Sequence, residues 1–133
     1  EETRAYGGAF VNLREDYGCT WRGRIIIRNS TWSPRGAQRA VFSARNDGTH
    51  FFGYPCHMPD VIIDGLTVEE VRQDDAPLYV FNNYLGKGNA LPQERPFMPV
   101  PPAEVSVRNV HSHRPVALCE NPDLMPDTVF ESK

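Results

Sequence analysis

No Cys-x-x-Cys pair occurs in this chain, and its three cysteines, Cys19, Cys56 and Cys119, stand far apart. That spacing argues against a structural zinc site. It leaves open whether one bridge forms or all three remain thiols, because geometry decides that and sequence does not. No apolar run reaches 18 residues, so no membrane-spanning helix is encoded. A Gly-rich phosphate loop, a Ser-nucleophile elbow and a zinc-protease motif are all missing, which removes three common motif-bearing chemistries. Neither sign of charge dominates: the net charge is −3, giving no reason to expect a nucleic-acid partner. The chain opens Glu1-Glu2-Thr3-Arg4, without a signal-peptide pattern. Helical periodicity is nearly absent, and only Glu69 to Gln73 would make a single turn. What is plentiful is punctuation, 12 prolines and 10 glycines, as expected of a chain with many turns.

Against that background one stretch is written three times: Ile25 to Trp32, Val61 to Val68 and Val105 to Ser112. Each copy has alternating apolar residues, then a charged residue, then Asn29, Gly65 or Asn109, then alternation shifted by one position. Period-2 alternation predicts a strand with one buried face. Asn and Gly are the residues that best tolerate positive φ or a bulge, so each copy reads as strand, bend, strand. The copies are 36 and 44 residues apart.

A second series interleaves with the first: Phe10 to Asp16, Val41 to Asp47, Leu78 to Asn83 and, more weakly, Pro115 to Asn121. Aligning Leu13, Ala44, Phe81 and Leu118 gives spacings of 31, 37 and 37, and sets Cys119 at the register of Arg14 and Arg45. Strict alternation of two series implies a coil in which each turn adds one strand of each kind, with like strands stacking about 4.8 Å apart. A propeller would need four strands per blade, so a parallel β-solenoid fits better. Ile25, Ile27, Ser30 and Trp32 would point inward over Val61, Ile63, Leu66 and Val68, and these over Val105, Val107, Val110 and Ser112. Outward, Arg28, Asp64 and Arg108 would form a ladder of alternating sign.

The strings I-I-I-R-N-S-T, V-I-I-D-G-L-T-V and V-S-V-R-N-V-H-S resemble the coils of right-handed parallel β-helix proteins of the pectate-lyase-like superfamily. The resemblance covers roughly residues 9–121. It implies an all-β, right-handed parallel β-helix of about three to four turns. It also implies a secreted, cell-surface or periplasmic setting and a polysaccharide lying in a groove along the stacked strands. Lyases, hydrolases, epimerases and non-catalytic spike proteins share this coil.

Residues 1–8 read as a polar N-terminal arm and 9–133 as the coils, with a long connection at 84–102. Because the second series has four members and the first three, the first turn should lack its leading strand. The expectation is a piece of a longer β-helix, completed by a missing N-terminal part of the same protein; the alternative is a short domain with an irregular first turn. An open solenoid end needs a cap. Thr128 to Phe130 would be a closing strand.

Arg14 with Asp16, and Arg45 with Asp47, form the leading candidate site. The register stacks like on like, an arrangement relieved by crossed Arg–Asp pairing. Two arginines can fork a uronate carboxylate, and paired Asp16 and Asp47 can act as acid and base or hold Ca²⁺. The structural alternative is strand-ending turn chemistry, since Asn46-Asp47-Gly48 is an ordinary turn. His57 and His50 lie in the aromatic segment 49–60, His57 as a candidate acid/base and His50 as a candidate binding residue. Tyr54 and Trp21 would offer faces to sugar rings; Phe51 and Phe52 suit core cover. No third ligand has metal spacing, so no metal residue is assigned. His111 and His113 beside Arg114 suit an anion or a transition metal, or simply a solvated strand end. Asp74-Asp75 reads as a loop or a calcium corner.

Two functions therefore compete. In the first, the chain binds or cleaves an acidic, uronate-containing polysaccharide; as an enzyme it would be a polysaccharide lyase or glycoside hydrolase. In the second, it is a non-catalytic structural or glycan-binding module of a surface or secreted protein.

Overall fold

The computed structural model of the chain describes residues 3–7, 9–14, 23–34, 40–45, 58–69, 76–82 and 100–133. Within them lie β1 (Arg4–Gly7), β2 (Val11–Arg14), β3 (Arg24–Pro34), β4 (Ala40–Arg45), β5 (Asp60–Val68), β6 (Leu78–Phe81), β7 (Glu104–His111), β8 (Val116–Ala117) and β9 (Val129–Ser132). Among the described residues helix is confined to a 3₁₀ turn at Pro122–Leu124, capped by Asn121, whose Oδ1 accepts from the Asp123 N–H at 3.3 Å. The described protein is thus all-β, and no helix in it is long and apolar enough to cross a membrane.

Successive strands go to alternate sheets. One has the order β1-β3-β5-β7-β9, the other β2-β4-β6-β8. Every pairing is parallel. In the larger sheet Ile27 stands beside Ile63, and Ile63 beside Val107, in the expected column. Most of the inward set is buried as the alternation predicts: Ile27, Ser30 and Trp32 on β3, Val61, Ile63, Leu66 and Val68 on β5, and Val105 and Val107 on β7. Ile25 and Val110 are half-buried against the core, and Ser112 lies past the end of β7. The buried apolar side chains among these form one cluster with Val41, Phe42, Leu78, Val80 and Phe81 of the smaller sheet. The rings of Phe42 and Phe81 pack at 5.3 Å between centroids, tilted by 34°. Each such side chain contributes about 1.5–3 kcal/mol by leaving water.

The smaller sheet departs from the expected register. Leu13 does lie beside Ala44, and Arg14 beside Arg45. Phe81, however, pairs with Phe42 and not Ala44. A slip of two residues keeps every side chain on its face, so alternation cannot detect it. On the next strand Leu78 pairs with Val116 and Tyr79 with Ala117, so Leu118 falls one place short of Phe81. Here the burial is no longer alternating: Val80 and Phe81 are both buried, as are Leu118 and Cys119. The period-2 signal fails at such a doublet. Cys119 consequently belongs to the core layer of Phe81, not to the Arg14 and Arg45 position. It is a free, buried thiol.

The larger sheet has two members beyond the three long copies. Residues 4–7, within the expected arm, form β1, which pairs with Thr31 through Pro34 of β3. The gap expected at the leading position of the first turn is filled by this strand. Only Ala5 among its residues packs on the core, so it carries no apolar alternation to read. β3 also continues through Ser33 and Pro34, where the Pro-Arg-Gly sequence predicts a turn. Proline is tolerated there because Pro34 lies beyond the last β3–β5 pair, Trp32 with Val68, so that side of the strand is an edge. At the other end β9 pairs with β7, fulfilling the closing strand, with Phe130 beside Val105. Asp60 ties the strand starts together: its Oδ1 accepts from the N–H of Ala103 at 2.9 Å and of Glu104 at 3.2 Å.

Candidate functional site

The bend inside each long strand is the origin of the site. Asn29, Gly65 and Asn109 have φ of 48°, 96° and 54°, in the left-handed region that Gly and Asn tolerate. The ladder pairs Arg28 with Asp64 and Ser30 with Leu66, stepping over Asn29 and Gly65. It does the same across Gly65 and Asn109. One left-handed residue per strand therefore makes a column, shifts the inward set by one, and turns the next outward residue toward the bend.

Three outward rows result. Arg28, Asp64 and Arg108 form the first, the bend residues the second, and Thr31, Thr67 and His111 the third. Between them lies an open depression of about 350 Å³, lined by all three bend residues, the whole third row, Asp64 and Ser30. Threonine hydroxyls, carboxamides, one carboxylate and one imidazole line it, and among the described residues no aliphatic side chain does.

The electrostatics centre on Asp64. Its Oδ1 accepts from Nδ2 of Asn109 and its Oδ2 from Nη2 of Arg108, both at 2.8 Å. The Asn109 hydrogen bond, then that of Arg108, holds this carboxyl below its ordinary value, with the charges of Arg108 and Arg28 adding to the effect. The expected charged ladder is thus closed by contact on the Arg108 side, while Arg28 acts through space. Gly65 leaves a gap in the middle row. A Cβ there would meet both the backbone N and Oδ1 of Asn29 at 3.0 Å, so the Asn29 amide leans over the glycine. Ser30, inward and buried, donates to the Arg28 carbonyl at 2.8 Å and accepts from the Thr3 N–H at 3.3 Å, fixing the bend from behind.

The candidates from sequence fare unevenly. Arg14 and Arg45 are register partners at the ends of β2 and β4; their side chains are outside the described set. Asp16, Asp47, His57, His50, Tyr54 and Trp21 lie outside the described residues altogether, as do Phe51, Phe52, Asp74 and Asp75. The carboxylates considered for Ca²⁺ are among these. Among the described residues no three His, Cys, Asp or Glu side chains come together as a metal site. His111 lines the depression, and His113 is exposed outside it. Arg114 is buried and donates Nη1 to the Ala76 carbonyl at 3.2 Å, tying the β7–β8 connection to the start of β6. The depression itself escapes a reading that treats the Arg28, Asp64 and Arg108 row as a ladder alone. Its signal is the polar residue two positions past each bend, Thr31, Thr67 and His111.

Comparison with protein-family models, with curated proteins and with solved structures finds no match for this chain.

Proposed function

We propose that the two parallel sheets wind as a right-handed parallel β-helix, and that the chain is a glycan-binding module of this architecture in a secreted or surface protein. The observation that carries the reading is the polar depression crossing three stacked strands of the larger sheet. Sugar hydroxyls both donate and accept. Carboxamide and hydroxyl side chains do the same, and here they repeat from strand to strand. Arg28 and Arg108 at the edge of the depression favour an acidic polysaccharide.

Binding without cleavage is favoured by the state of Asp64. A general acid needs a pKa near the working pH, and Asp64 is shifted the other way by Asn109 and Arg108. Glycoside hydrolysis ordinarily needs a second carboxylate across the scissile bond, and Asp64 is the one carboxylate among the described lining residues. A cleaving activity would belong instead to the smaller sheet, where the Arg14–Arg45 register supports a carboxylate-binding pair.

The test is titration of the chain against uronate-containing and neutral oligosaccharides, alongside reducing-end and unsaturated-uronate assays. Binding without turnover is expected, weakened by Thr31→Val and Thr67→Val, which remove hydroxyls and keep shape. Failure to bind any glycan removes the proposal. Turnover abolished by Asp47→Ala would move the function to the candidate set of Arg14, Asp16, Arg45 and Asp47.

A further inference from the structure

Resting on the glycan reading, we infer that the depression selects an acidic glycan of alternating repeat, in which every second sugar carries a carboxylate. The chemistry changes from strand to strand. The β3 row offers Arg28, Asn29 and Thr31; the β5 row offers Asp64, Gly65 and Thr67; the β7 row offers Arg108, Asn109 and His111. Read along the stacking direction, the sign of charge runs plus, minus, plus. The two arginine positions are two strand spacings apart, about 10 Å.

A pyranose ring repeats along its polymer on a length close to one strand spacing. A glycan lying along the stack therefore sets one sugar over each strand. With uronates at alternate positions, one carboxylate meets Arg28 and the next meets Arg108. Arg108 gives one N–H to Asp64 through Nη2. A guanidinium has five donors, so the others remain for a ligand. Its side chain is 57% exposed. The sugar between them lies over Asp64 and Gly65. There a neutral ring can donate hydroxyls to the carboxylate and meet the Asn29 amide that leans over the glycine. A polymer with a uronate at every position would press one carboxylate onto Asp64. That repulsion is the discriminating element, because specificity needs a penalty against the wrong ligand as well as contacts to the right one.

The experiment is calorimetric titration of the full chain with three hexasaccharides: alternating uronate and N-acetylhexosamine, all uronate, and all N-acetylhexosamine. The alternating ligand should bind about tenfold tighter than either of the others. Arg28→Gln should weaken it about tenfold and leave the neutral ligand unchanged. Arg108→Gln should do the same, with a thermal melt confirming the fold despite loss of the Asp64 ion pair; Arg28→Gln carries the test if that variant unfolds. Asp64→Asn should improve binding of the all-uronate ligand. Equal or tighter binding of the all-uronate ligand, or indifference to Arg28→Gln, overturns the alternating register. Preference for the neutral ligand overturns it too and leaves glycan binding standing. No binding by any of the three removes both readings.

Discussion

Gly65 combines two constraints that a side chain violates together. Its φ of 96° is open to glycine and strained for other residues, and a Cβ would press on the backbone of Asn29 at 3.0 Å. Gly65→Ala should therefore destabilise by about 1–3 kcal/mol in a urea titration. Asn29→Gly, at a φ of 48°, should change stability by only a few tenths of a kcal/mol, because glycine accepts that conformation freely. Asp64 makes its contribution to pH dependence at the acid end. Its folded pKa lies below the ordinary carboxylate value because Asn109 and Arg108 bond the ionised form. The folded state then binds fewer protons than the unfolded one. The resulting stability is present above the ordinary value of 3.8 and lost as pH falls through the folded pKa. Wild type should lose melting temperature below about pH 4 more steeply than Asp64→Asn. Cys119 works at the other end. Burial pushes its thiol from 9.0 up to about 11. A raised acid favours folding while protonated, so its effect is harmless below about pH 8.5 and destabilising as pH rises toward 11, by on the order of 2 kcal/mol. The melting temperature of Cys119→Ala should fall less between pH 8 and 10.5 than that of wild type.

Within the elements, the core column is where burial and register meet. Ile63 is 1% exposed and lies between Ile27 and Val107. Truncating it to Ala should cost about 2–5 kcal/mol, read as a shift of the urea midpoint at unchanged slope. Ile26→Thr, on the exposed side of β3 at 43% exposure, should cost little. The same contrast explains which parts of the fold were legible in the sequence. β3, β5 and β7 each carry apolar alternation on both sides of a bend, and the bend residue marks the phase, so their register had one self-consistent solution. β4 and β6 carry no such mark, and a two-residue slip left the apolar face intact. β1 places only Ala5 on the core and shows no pattern at all. The site was legible in part. The outward row of Arg28, Asp64 and Arg108 followed from alternation, but its closure by Asn109 depends on where a left-handed residue throws its amide. The row of Thr31, Thr67 and His111 is marked in sequence only by a polar residue two positions past each bend, and becomes a row only once the ladder exists.

At the scale of the molecule, the strands differ in how many neighbours they can rely on. β3 and β5 are long and flanked on both sides in the larger sheet, whereas β1 and β9 are four residues each and pair on one side. Val129 on β9 is 59% exposed, and the strand's one core-packed residue is Phe130. Opening β9 therefore forfeits one partly buried aromatic and a single ladder, while opening β5 breaks two ladders and the Ile63–Leu66 core. Amide exchange should grade accordingly, with Ile63 and Leu66 exchanging near the global unfolding limit and Phe130 to Ser132 orders of magnitude faster. Most of the depression's lining, Asn29, Ser30 and Thr31 with Asp64, Gly65 and Thr67, sits on β3 and β5, so these groups are carried by strands that are paired on both sides. Equal protection of β9 and β5 would mean instead that the stack opens as a single unit. In that case Phe130→Ala should lower the protection of Ile63 by the same factor as that of Phe130's own strand, a comparison one exchange experiment on the variant provides.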